Sequence, residues 1–434
     1  MLEGKIVHIL GAGRSGKAAA QLAVSKGAIV TVFDTTAEDK FPSMPEGVKC
    51  HPSASIEVGK ASQCDLLVIS PGIDTYGDYV AAFSENAGEL IGETELAYRF
   101  YTGKIIAITG TNGKTTTTEL VQCIMSKSGV SCVACGNYGV PLSEVVMMDE
   151  VPDSIALELS SFQLETVKEL KADVAVWLNF DADHMDRYSC IEDYKKAKLR
   201  IFETQTSAET ALVRLGEDVG EIAAKRLTFS TESDAGDFSY SDGWIIYRDE
   251  NLLDLSNTRL RGLHNVENAM AAIGACMELG ITVEQAAEAL VGFAPPMHRC
   301  ELIRTLDGVE YLNDSKATNL HALDSALRSQ SRPIILIAGG KEKGLNYSAL
   351  IPRLKDCVKH AVVFGEISSE LKSVFSQAVE TESVENIEQA VQAANAKAQH
   401  GDVVLLSPGT SSFDQFKGYE HRGDVFREIV LKLR

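Results

Sequence analysis

Residues 105–118 read Ile-Ile-Ala-Ile-Thr-Gly-Thr-Asn-Gly-Lys-Thr-Thr-Thr-Thr, a short apolar run followed by glycines, a lysine and four hydroxyl residues. The apolar run predicts a buried strand, and Gly110 and Gly113 allow the chain to turn sharply into a helix that begins near Lys114. Backbone N–H groups at such a helix N-terminus converge on an anion. The stretch predicts a phosphate-binding turn, although a plain capped strand-to-helix turn has the same pattern.

The side chains of this turn are of the types that a nucleotide requires. Lys114 supplies a point charge for the outer phosphates, and Thr115 offers a hydroxyl to Mg²⁺. The hydroxyls of the threonine run can also cap the helix. The full Walker spacing would place a glycine at position 108, where this chain has Ile108, so a GTPase-type P-loop is disfavoured. The predicted nucleotide-binding residues are Gly110, Thr111, Asn112, Gly113, Lys114, Thr115 and Thr116.

Composition is typical of a globular protein of several domains. The chain has 434 residues, 45% of them hydrophobic and 24% charged, and it contains no apolar run long enough to span a membrane. It enters a strand directly, without a signal peptide, so we expect a cytoplasmic protein. The net charge of −20 argues against nucleic acid as the main partner, since phosphate backbones require basic surfaces.

Nine cysteines are scattered singly along the chain, which fits a reducing compartment better than a disulfide framework. Cys132 and Cys135 form one CxxC sequence without a second pair. Packing within a strand explains this pair more simply than a structural zinc site, which usually needs four ligands.

A second glycine turn, Gly11-Ala12-Gly13-Arg14-Ser15-Gly16, follows an apolar strand predicted over residues 5–10. It matches GxGxxG, and Asp34 follows the next predicted strand at the distance of a ribose-binding carboxylate. Read alone, this pattern predicts an NAD-binding site. A lone GxGxxG is a weak signal, however, and also occurs in turns without a ligand. The turn does predict a helix N-terminus that is open to a phosphate group.

Short apolar strands alternate with helices along the whole chain, which predicts an α/β protein with mainly parallel sheets. Pro295-Pro296 ends a helix and marks a domain boundary. We predict three domains: an N-terminal Rossmann-like domain (1–92), a central P-loop-type ATPase domain (93–296) and a C-terminal Rossmann-like domain (297–434).

Metal-ligand residue types follow two strands of the predicted central domain. Glu158 ends one strand, and Asp183-His184 follows the next, so both lie at the edge where doubly wound sheets bind ligands. Magnesium takes carboxylates readily and imidazole only occasionally. A later helix opens near Asn265, a possible N-cap, with Asn268 about one turn further along the same side.

Two other features remain open on local pattern alone. The helix predicted from residue 191 carries Lys195, Lys196, Lys198 and Arg200, and a solvated basic face is its simplest interpretation. In the C-terminal domain, polar turns at 313–319, 339–344 and 407–413 each follow an apolar strand. We therefore expect these three turns to cluster at one edge of that sheet.

Taken together, these motifs resemble those of the Mur ligases, the ATP-dependent amide-forming enzymes of bacterial peptidoglycan synthesis. The resemblance is strongest to members that add D-glutamate to UDP-N-acetylmuramoyl-L-alanine, and it implies an acyl-phosphate intermediate that an amine attacks. It also implies that the first domain binds the UDP end of a sugar nucleotide, with no nicotinamide. The stretches that carry it are 158–164, 183–188, 197–200, 297–299, 313–319 and 413–416.

The resemblance also implies a role for individual residues. Two Mg²⁺ ions would be held by Thr115 and Glu158, and by His184 and Lys198. Because an ammonium group cannot bind a metal, Lys198 would be carbamylated by CO₂. The residues implied in catalysis are Lys114, Glu158, His184 and Lys198. Those implied for the sugar nucleotide are Arg14, Ser15, Asp34, Thr35, Ser70 and Gly72, with Asn137 near its muramoyl-alanine end.

For ATP, the resemblance implies Asn268 at the base, Arg299 at the γ-phosphate and Asp314 at the ribose, with Lys316 in the same turn. The D-glutamate residues implied are Thr318, Lys343, Ser412, Phe413 and Tyr419, with Lys341 as an alternative to Lys343. We expect a monomer that acts on these small molecules.

Three alternatives remain at this stage. Another ligase of the same superfamily would add L-alanine or a diamino acid, or would add a glutamate to folate. A nicotinamide dehydrogenase would use the first glycine turn but leave residues 110–118 without a purpose. A nucleotide-regulated binding protein would bind ATP and form no amide.

Overall fold

The computed structural model describes residues 2–181, 187–260, 262–293, 297–330 and 332–434. The chain divides into two compact units, Met1–Phe293 and Ala294–Arg434. The first unit contains two sheets and the second contains one, and most strand pairs are parallel, which confirms the predicted α/β class. Among the residues described, no helix combines the length and the apolar character needed to cross a bilayer.

Five parallel strands form the N-terminal sheet: β1 (Ile6–Leu10), β2 (Ile29–Phe33), β3 (Lys49–His51), β4 (Cys64–Ile69) and β5 (Ala87–Gly92). Their order is β3-β2-β1-β4-β5, so the winding direction reverses between β1 and β4. Such a reversal leaves a crevice at the carboxyl ends of the two strands. The helices of this part are α1 (Arg14–Ser25), α2 (Ile56–Ala61) and α3 (Asp78–Ser84).

The central sheet follows the short helix α4 (Glu93–Tyr98). Its strands are β6 (Lys104–Thr109), β7 (Cys132–Gly136), β8 (Ser154–Glu158), β9 (Val174–Trp177), β10 (Thr210–Arg214), β11 (Lys225–Phe229), β12 (Phe238–Ser241), β13 (Trp244–Tyr247) and β14 (Glu250–Asp254). Its helices are α5 (Lys114–Lys127), α6 (Leu142–Val146), α7 (Ser161–Leu164), α8 (Ile191–Leu199), α9 (Leu263–Glu278) and α10 (Val283–Leu290). The order β14-β13-β12-β11-β10-β9-β6-β8-β7 places β6 between β9 and β8.

The sheet of the second unit has six strands: β15 (Glu301–Leu306), β16 (Val309–Asn313), β17 (Ile334–Gly339), β18 (Val358–Phe364), β19 (Thr381–Ser383) and β20 (Val403–Leu406). Their order is β15-β16-β20-β17-β18-β19, and only the β15–β16 pair is antiparallel. The helices are α11 (Leu320–Arg328), α12 (Ile351–Cys357), α13 (Ser368–Phe375), α14 (Ile387–Lys397) and α15 (Tyr419–Lys432). Short 3₁₀ turns lie at Glu38–Lys40, Arg200–Phe202, Leu255–Asn257 and Tyr347–Leu350.

The CxxC sequence lies within β7, where it cannot bind one metal ion. Because side chains alternate across a strand, Cys132 and Cys135 face opposite sides of the sheet and belong to different hydrophobic clusters. Burial raises the pKa of both thiols. All nine cysteines are free. The placement of Cys132 and Cys135 in separate hydrophobic clusters supports the packing interpretation of this pair.

A buried carboxylate on α4 stabilises the junction between the two sheets of the first unit. Glu95 is fully buried and accepts hydrogen bonds from the backbone N–H groups of Lys168 at 2.9 Å, Glu169 at 3.0 Å and Leu170 at 3.1 Å. Arg99, one turn along the helix, lies 3.3 Å from the same carboxylate. Since the carboxylate satisfies three backbone donors, its loss leaves a cluster of buried polar groups without an acceptor.

We expect Glu95→Ala to lower the free energy of unfolding of the first unit by about 3 kcal/mol, because it removes the acceptor of a buried charged network. Glu169→Ala is the matched control. The side chain of Glu169 also pairs with Arg99 but is 66% exposed, so its loss costs less than about 1 kcal/mol. Urea unfolding followed by the fluorescence of Trp177 and Trp244 measures both changes. Equal effects of the two substitutions would contradict the stabilising role of the buried Glu95 carboxylate.

Candidate active site

The predicted phosphate-binding turn connects β6 to α5. Gly110 has φ +154° and Gly113 has φ +85°, backbone conformations that L side chains rarely adopt. A Cβ atom at Gly113 would also lie 2.3 Å from Oδ1 of Asn268. Gly113 is the N-cap of α5, and no described side chain caps the helix. The positive end of the helix is therefore available to an anion.

The threonine run does not cap the helix, so that prediction is wrong. The hydroxyl of Thr117 donates to Oδ1 of Asn268 at 3.2 Å, and that of Thr118 donates to the carbonyl oxygen of Lys114 at 2.9 Å. Thr115 is buried and Thr116 is half-buried. Because the hydroxyls of Thr117 and Thr118 bond elsewhere in the fold and no described side chain caps α5, the N–H groups of its first turn keep their capacity to bind a ligand.

Two lysines meet at one carbonyl oxygen of the turn. Nζ of Lys114 lies 2.8 Å from the carbonyl oxygen of Gly110 and 2.9 Å from that of Thr111. Nζ of Lys198 lies 2.9 Å from the same Gly110 oxygen. Both ammonium groups thus lie at the turn, which concentrates positive charge where a phosphate would bind.

Lys198 differs from the other basic residues of its segment. Its side chain is 1% exposed, and Nζ also lies 4.8 Å from the ring centroid of Tyr194. By contrast, Lys196 is exposed and Lys195 pairs with Asp218 at 2.9 Å. Arg200 donates to the carbonyl oxygens of residues 164, 165 and 167. The expectation of a solvated basic face is therefore wrong for Lys198.

Asn179, just after β9, secures the turn from the neighbouring strand and was not predicted. Its Oδ1 accepts from the N–H of Asn112 at 2.8 Å, and its Nδ2 donates to the carbonyl oxygen of Asn112 at 3.2 Å. The hydroxyl of Thr111 accepts from the N–H of Asp181 at 3.0 Å. An amide at the end of a strand beside β6 was the signal that could have identified Asn179.

Glu158 lies beside the turn because β8 pairs with β6, with Glu158 opposite Ile108. The residue is 2% exposed, and its Oε1 accepts from Nδ2 of Asn137 at 2.7 Å. Its Oε2 is buried and has no hydrogen-bond partner among the described residues. A buried carboxylate oxygen without a donor is unfavourable, and carboxylate oxygens are preferred ligands of Mg²⁺. The chemistry of this site therefore fits a divalent cation.

His184 and Asp183 lie outside the described residues, as do Pro295 and Pro296. Within the described ranges, no group of three His, Cys, Asp or Glu side chains is arranged to hold a metal ion. The prediction of His184 as a metal ligand stays a prediction.

Asn268 lies on α9, which begins at Leu263 with Gly262 as its N-cap. The suggestion that Asn265 caps this helix is therefore wrong. Nδ2 of Asn268 instead donates to Oδ1 of Asn265 at 3.2 Å, so the two amides do lie on the same side. Asn268 is buried against the phosphate-binding turn.

The glycine turn of the N-terminal sheet is fixed by Asp34. Its Oδ2 accepts from the N–H of Ala12 at 2.7 Å, and its Oδ1 accepts from the N–H and hydroxyl of Thr36 at 2.8 and 2.7 Å. Burial favours the neutral acid, but these hydrogen bonds outweigh it and lower the pKa of Asp34 below its ordinary value. The turn after β1 and the carboxylate after β2 therefore form one site.

The other predicted residues of this region surround the same turn. The hydroxyl of Ser70, after β4, lies 3.4 Å from the carbonyl oxygen of Gly11. Ser15 is half-buried, and Thr35 and Gly72 are exposed. Ser15, Ser70 and Gly72 follow β1 and β4, at the reversal where an open sheet binds its ligand, and Thr35 follows the neighbouring strand β2.

Arg14 links this turn to the central sheet. Its Nη1 donates to the carbonyl oxygen of Gly139 at 2.8 Å, and its Nε lies 3.4 Å from Glu144. Gly139 belongs to the same loop as Asn137, whose amide holds Glu158. Contacts therefore run from the first glycine turn to the buried carboxylate beside the phosphate-binding turn, a course that suits an elongated ligand.

Arg187 makes a second link and was not among the predicted site residues. It donates to the carbonyl oxygens of Pro71 at 3.0 Å and Ile73 at 2.7 Å, on either side of Gly72. Its guanidinium group also lies 3.3 Å from the buried carboxylate of Glu165. The sequence shows an arginine in the motif 183–188, but nothing local indicates that it reaches 114 or more positions back along the chain.

The second unit gathers the remaining predicted residues at the carboxyl edge of its sheet. Asp314 accepts from the hydroxyl of Ser407 at 2.7 Å and from the N–H of Cys300 at 3.2 Å. Nη1 of Arg299 is buried and has no hydrogen-bond partner within the described part of the chain. The N–H of Lys316 donates to the carbonyl oxygen of His298 at 3.0 Å.

The predicted amino-acid residues divide into buried and exposed groups. Nζ of Lys343 donates to the carbonyl oxygen of Thr318 at 3.3 Å, which brings these two predicted residues together. Ser412 is buried, Tyr419 is half-buried and Phe413 is 64% exposed. The backbone N–H of Lys341 donates to the carbonyl oxygen of Ser411, and the choice between Lys343 and Lys341 stays a prediction.

Comparison with known proteins identifies the family. Models of three Mur ligase domains match the chain: the MurD-like N-terminal domain over residues 5–92, the middle domain over 108–276 and the glutamate ligase domain over 298–409. The UDP-N-acetylmuramoylalanine–D-glutamate ligase of Geotalea uraniireducens is 37% identical over 443 residues, which cover 99% of this chain and 98% of that protein. The chain belongs to the Mur ligase family.

Another curated relative and a solved structure are also similar to this chain. The UDP-N-acetylmuramoylalanine–D-glutamate ligase of Aquifex aeolicus is 38% identical over 429 residues, which cover 97% of both chains. A crystal structure of a MurF ligase from Thermotoga maritima in complex with ADP has a TM-score of 0.59 at 18% identity and covers 99% of this chain and 96% of that one. At this identity, the likeness to that structure concerns the fold.

The titration of Asp314 provides a test of the geometry in the second unit. Burial raises the pKa of Asp314 to about 6, although hydrogen bonds from Ser407 and Cys300 and the charge of Arg299 oppose the rise. The folded state therefore holds this proton more tightly than the unfolded state. Its contribution to stability is most favourable at low pH and declines as the pH rises to about 6.

We expect the wild type to lose about 1 kcal/mol of unfolding free energy relative to Asp314→Asn between pH 5 and pH 7. The asparagine variant serves as the reference because it cannot titrate. Calorimetric unfolding of both proteins across this range measures the difference. Parallel pH profiles would contradict the raised pKa.

Proposed function

We propose that this Mur ligase joins D-glutamate to UDP-N-acetylmuramoyl-L-alanine at the expense of ATP. The observation that carries the proposal is the buried Glu158 carboxylate, with one unpartnered oxygen beside an uncapped phosphate-binding turn. Such a pair suits a magnesium-bound triphosphate. The substrate assignment is supported by relatives at 37–38% identity over nearly the full chain that carry this ligase name.

The proposed chemistry explains why these residue types are required. A carboxylate is a poor electrophile, so the γ-phosphoryl group of ATP is first transferred to the alanyl carboxylate, and ADP leaves. The amine of D-glutamate, after losing a proton, attacks the acyl phosphate, and the amide forms as inorganic phosphate departs. Lys114 and Arg299 would balance the charge on the transferring group. Nζ of Lys114 lies at the phosphate-binding turn, and Nη1 of Arg299 is buried without a hydrogen-bond partner among the described residues.

The proposed metal ligands are Thr115 and Glu158 for one Mg²⁺ ion, and His184 and Lys198 for a second. Bound Mg²⁺ would neutralise phosphate charge and so permit two anions to approach. For Lys198 we propose carbamylation, which replaces a cation by an anionic oxygen ligand. The two ammonium groups on the Gly110 carbonyl lie within about 6 Å of each other and repel, and carbamylation would remove that repulsion.

The remaining predicted residues keep the roles that the family resemblance implies. We assign the sugar nucleotide to Arg14, Ser15, Asp34, Thr35, Ser70 and Gly72. We place Asn137, whose amide donates a hydrogen bond to Glu158, near the acyl end of this substrate. We assign ATP to residues 110–116, Asn268, Arg299, Asp314 and Lys316. We assign D-glutamate to Thr318, Lys343, Ser412, Phe413 and Tyr419.

We also propose domains that span 1–92, 93–296 and 297–434, and a monomer in the cytoplasm. Nine free cysteines support a reducing compartment. Light scattering of the purified protein tests the oligomeric state, and a particle of twice the chain mass would contradict it.

A four-component assay tests the function. With ATP, Mg²⁺, UDP-N-acetylmuramoyl-L-alanine and D-glutamate, we expect inorganic phosphate and a new amide, and neither product when any one component is omitted. L-Alanine, diamino acids and L-glutamate in place of D-glutamate test the other ligase reactions. Phosphate release without dependence on the amino acid, or oxidation of a nicotinamide, would contradict the proposal.

Lys198 is tested by mass and by substitution. We expect the peptide that contains Lys198 to carry the additional mass of one CO₂ when the protein is digested and measured under non-acidic conditions. We expect Lys198→Ala to lose activity, whereas Lys196→Ala, on the exposed side of the same helix, leaves it unchanged. An unmodified peptide together with a fully active Lys198→Ala variant would contradict the proposed carbamylation.

A further inference from the structure

Arg422, on the first turn of α15, is a fully buried arginine in the second unit. Its Nε donates to the hydroxyl of Ser315 at 3.0 Å, and its Nη2 donates to the carbonyl oxygen of Ser315 at 2.8 Å. Both Nη atoms lie 3.3 Å from the carbonyl oxygen of Thr410, and Nη1 lies 3.4 Å from that of Gly339. One guanidinium group therefore contacts three separate segments of chain.

These three segments are the polar turns at the carboxyl edge of the sheet. Ser315 follows β16, Thr410 follows β20, and Gly339 is the last residue of β17. In the sheet order these strands are direct neighbours, as β16-β20-β17. The planar fork of the guanidinium group spans all three strand ends, which a shorter or single-headed side chain cannot do.

The charge of Arg422 is not neutralised by an ion pair. All its acceptors are carbonyl or hydroxyl oxygens, and no carboxylate of the described chain lies within ion-pair distance. Burial lowers the pKa of Arg422 to about 10, although the charges of Asp414 and Asp314 oppose the decrease. Burying an unpaired cation is unfavourable, and an apolar side chain would fill the same space at lower cost. The guanidinium group must therefore be required for its hydrogen bonds.

The residues of the three turns do not depend on Arg422 equally. Asp314 has its own hydrogen bonds from Ser407 and Cys300, and the N–H of Lys316 is held by His298. Thr318, Lys343 and Ser412 lie on three different turns, so their relative placement depends on the spacing of those turns. Arg422 sets this spacing together with the bond from Lys343 to Thr318 and the backbone bond from Lys341 to Ser411. Loss of Arg422 would thus affect the predicted amino-acid residues more than the predicted nucleotide residues.

We infer that Arg422 is the positioning residue of the amino-acid site: it holds the turns after β16, β17 and β20 at the spacing that a dicarboxylate amino acid requires. The inference rests on the proposed D-glutamate assignment and names the residue that determines the affinity for that substrate. Arg422 does not touch the substrate; it acts through the turns that carry Thr318, Lys343 and Ser412.

The test compares Arg422→Lys with Arg304→Lys in the full chain. Arg304 also donates only to backbone carbonyl oxygens, those of residues 430, 431 and 433 at the other end of α15, so it is a matched control. We expect Arg422→Lys to raise the KM for D-glutamate by about tenfold or more, because the turns that carry Thr318, Lys343 and Ser412 lose their fixed spacing. We expect the KM for the sugar nucleotide to stay within about twofold of the wild-type value, and Arg304→Lys to change neither constant.

A partial reaction separates positioning from general damage. Acyl-phosphate formation from ATP and the sugar nucleotide needs no amino acid, and we expect Arg422→Lys to retain it. Ser315→Ala, which removes one of the acceptors, provides a milder variant should Arg422→Lys not fold, and we expect a smaller rise in the same KM. An unchanged KM for D-glutamate in the variants that fold would overturn the inference. So would an equal rise in the KM values for D-glutamate, the sugar nucleotide and ATP. If the wild type formed no amide with D-glutamate at all, the proposed function would fail instead.

Discussion

The carbonyl oxygen of Gly110 is the point on which the central site depends. It accepts hydrogen bonds from the ammonium groups of Lys114 and Lys198, which reach it from the helix after β6 and from α8. Two cations at one oxygen repel each other unless an anion lies between them or one of them loses its charge. Gly110 has φ +154°, a conformation that a residue with a Cβ atom rarely adopts. A triphosphate and a modified Lys198 would each relieve the same repulsion.

The chain carries a net charge of −20, yet every proposed substrate is an anion. Local groups resolve this conflict. Helix N-termini follow the glycine turns at Gly13 and Gly113, and cations are buried at Lys198 and Arg422. Because buried charges are screened less than exposed ones, a few such groups determine the field at the site while the acidic surface keeps the protein soluble.

Contacts between elements that are distant in sequence tie the sheets of the first unit together. Arg14 reaches Gly139, Arg187 reaches Pro71 and Ile73, and Glu95 accepts from the backbone at 168–170. The first two contacts involve loops that carry proposed sugar-nucleotide residues, and the third fixes the loop after α7. An elongated substrate bound across both sheets would therefore lie on a rigid support, which lowers the entropy cost of orienting its reactive end.

The sequence by itself determined the α/β class, both glycine turns and the acidic group at the end of β8. These features are local: glycine where φ is positive, apolar periodicity within strands, and polar residues directly after them. Short edge strands such as Lys49–His51 and Thr381–Ser383 were not predicted, because three residues carry too little periodicity. The threonine run and Asn265 were wrongly predicted as caps, since their side chains bond to partners that local pattern does not reveal.

Only the tertiary structure decided which polar side chains matter. Lys196 and Lys198 lie on one helix and are indistinguishable by composition, yet one is exposed and the other is buried against an oxygen 88 positions away. Arg422 likewise meets Ser315, 107 positions away, because the sheet places the ends of β16, β20 and β17 side by side. Such roles depend on which strands become neighbours, and strand order is a property of the whole fold that no local stretch of sequence contains.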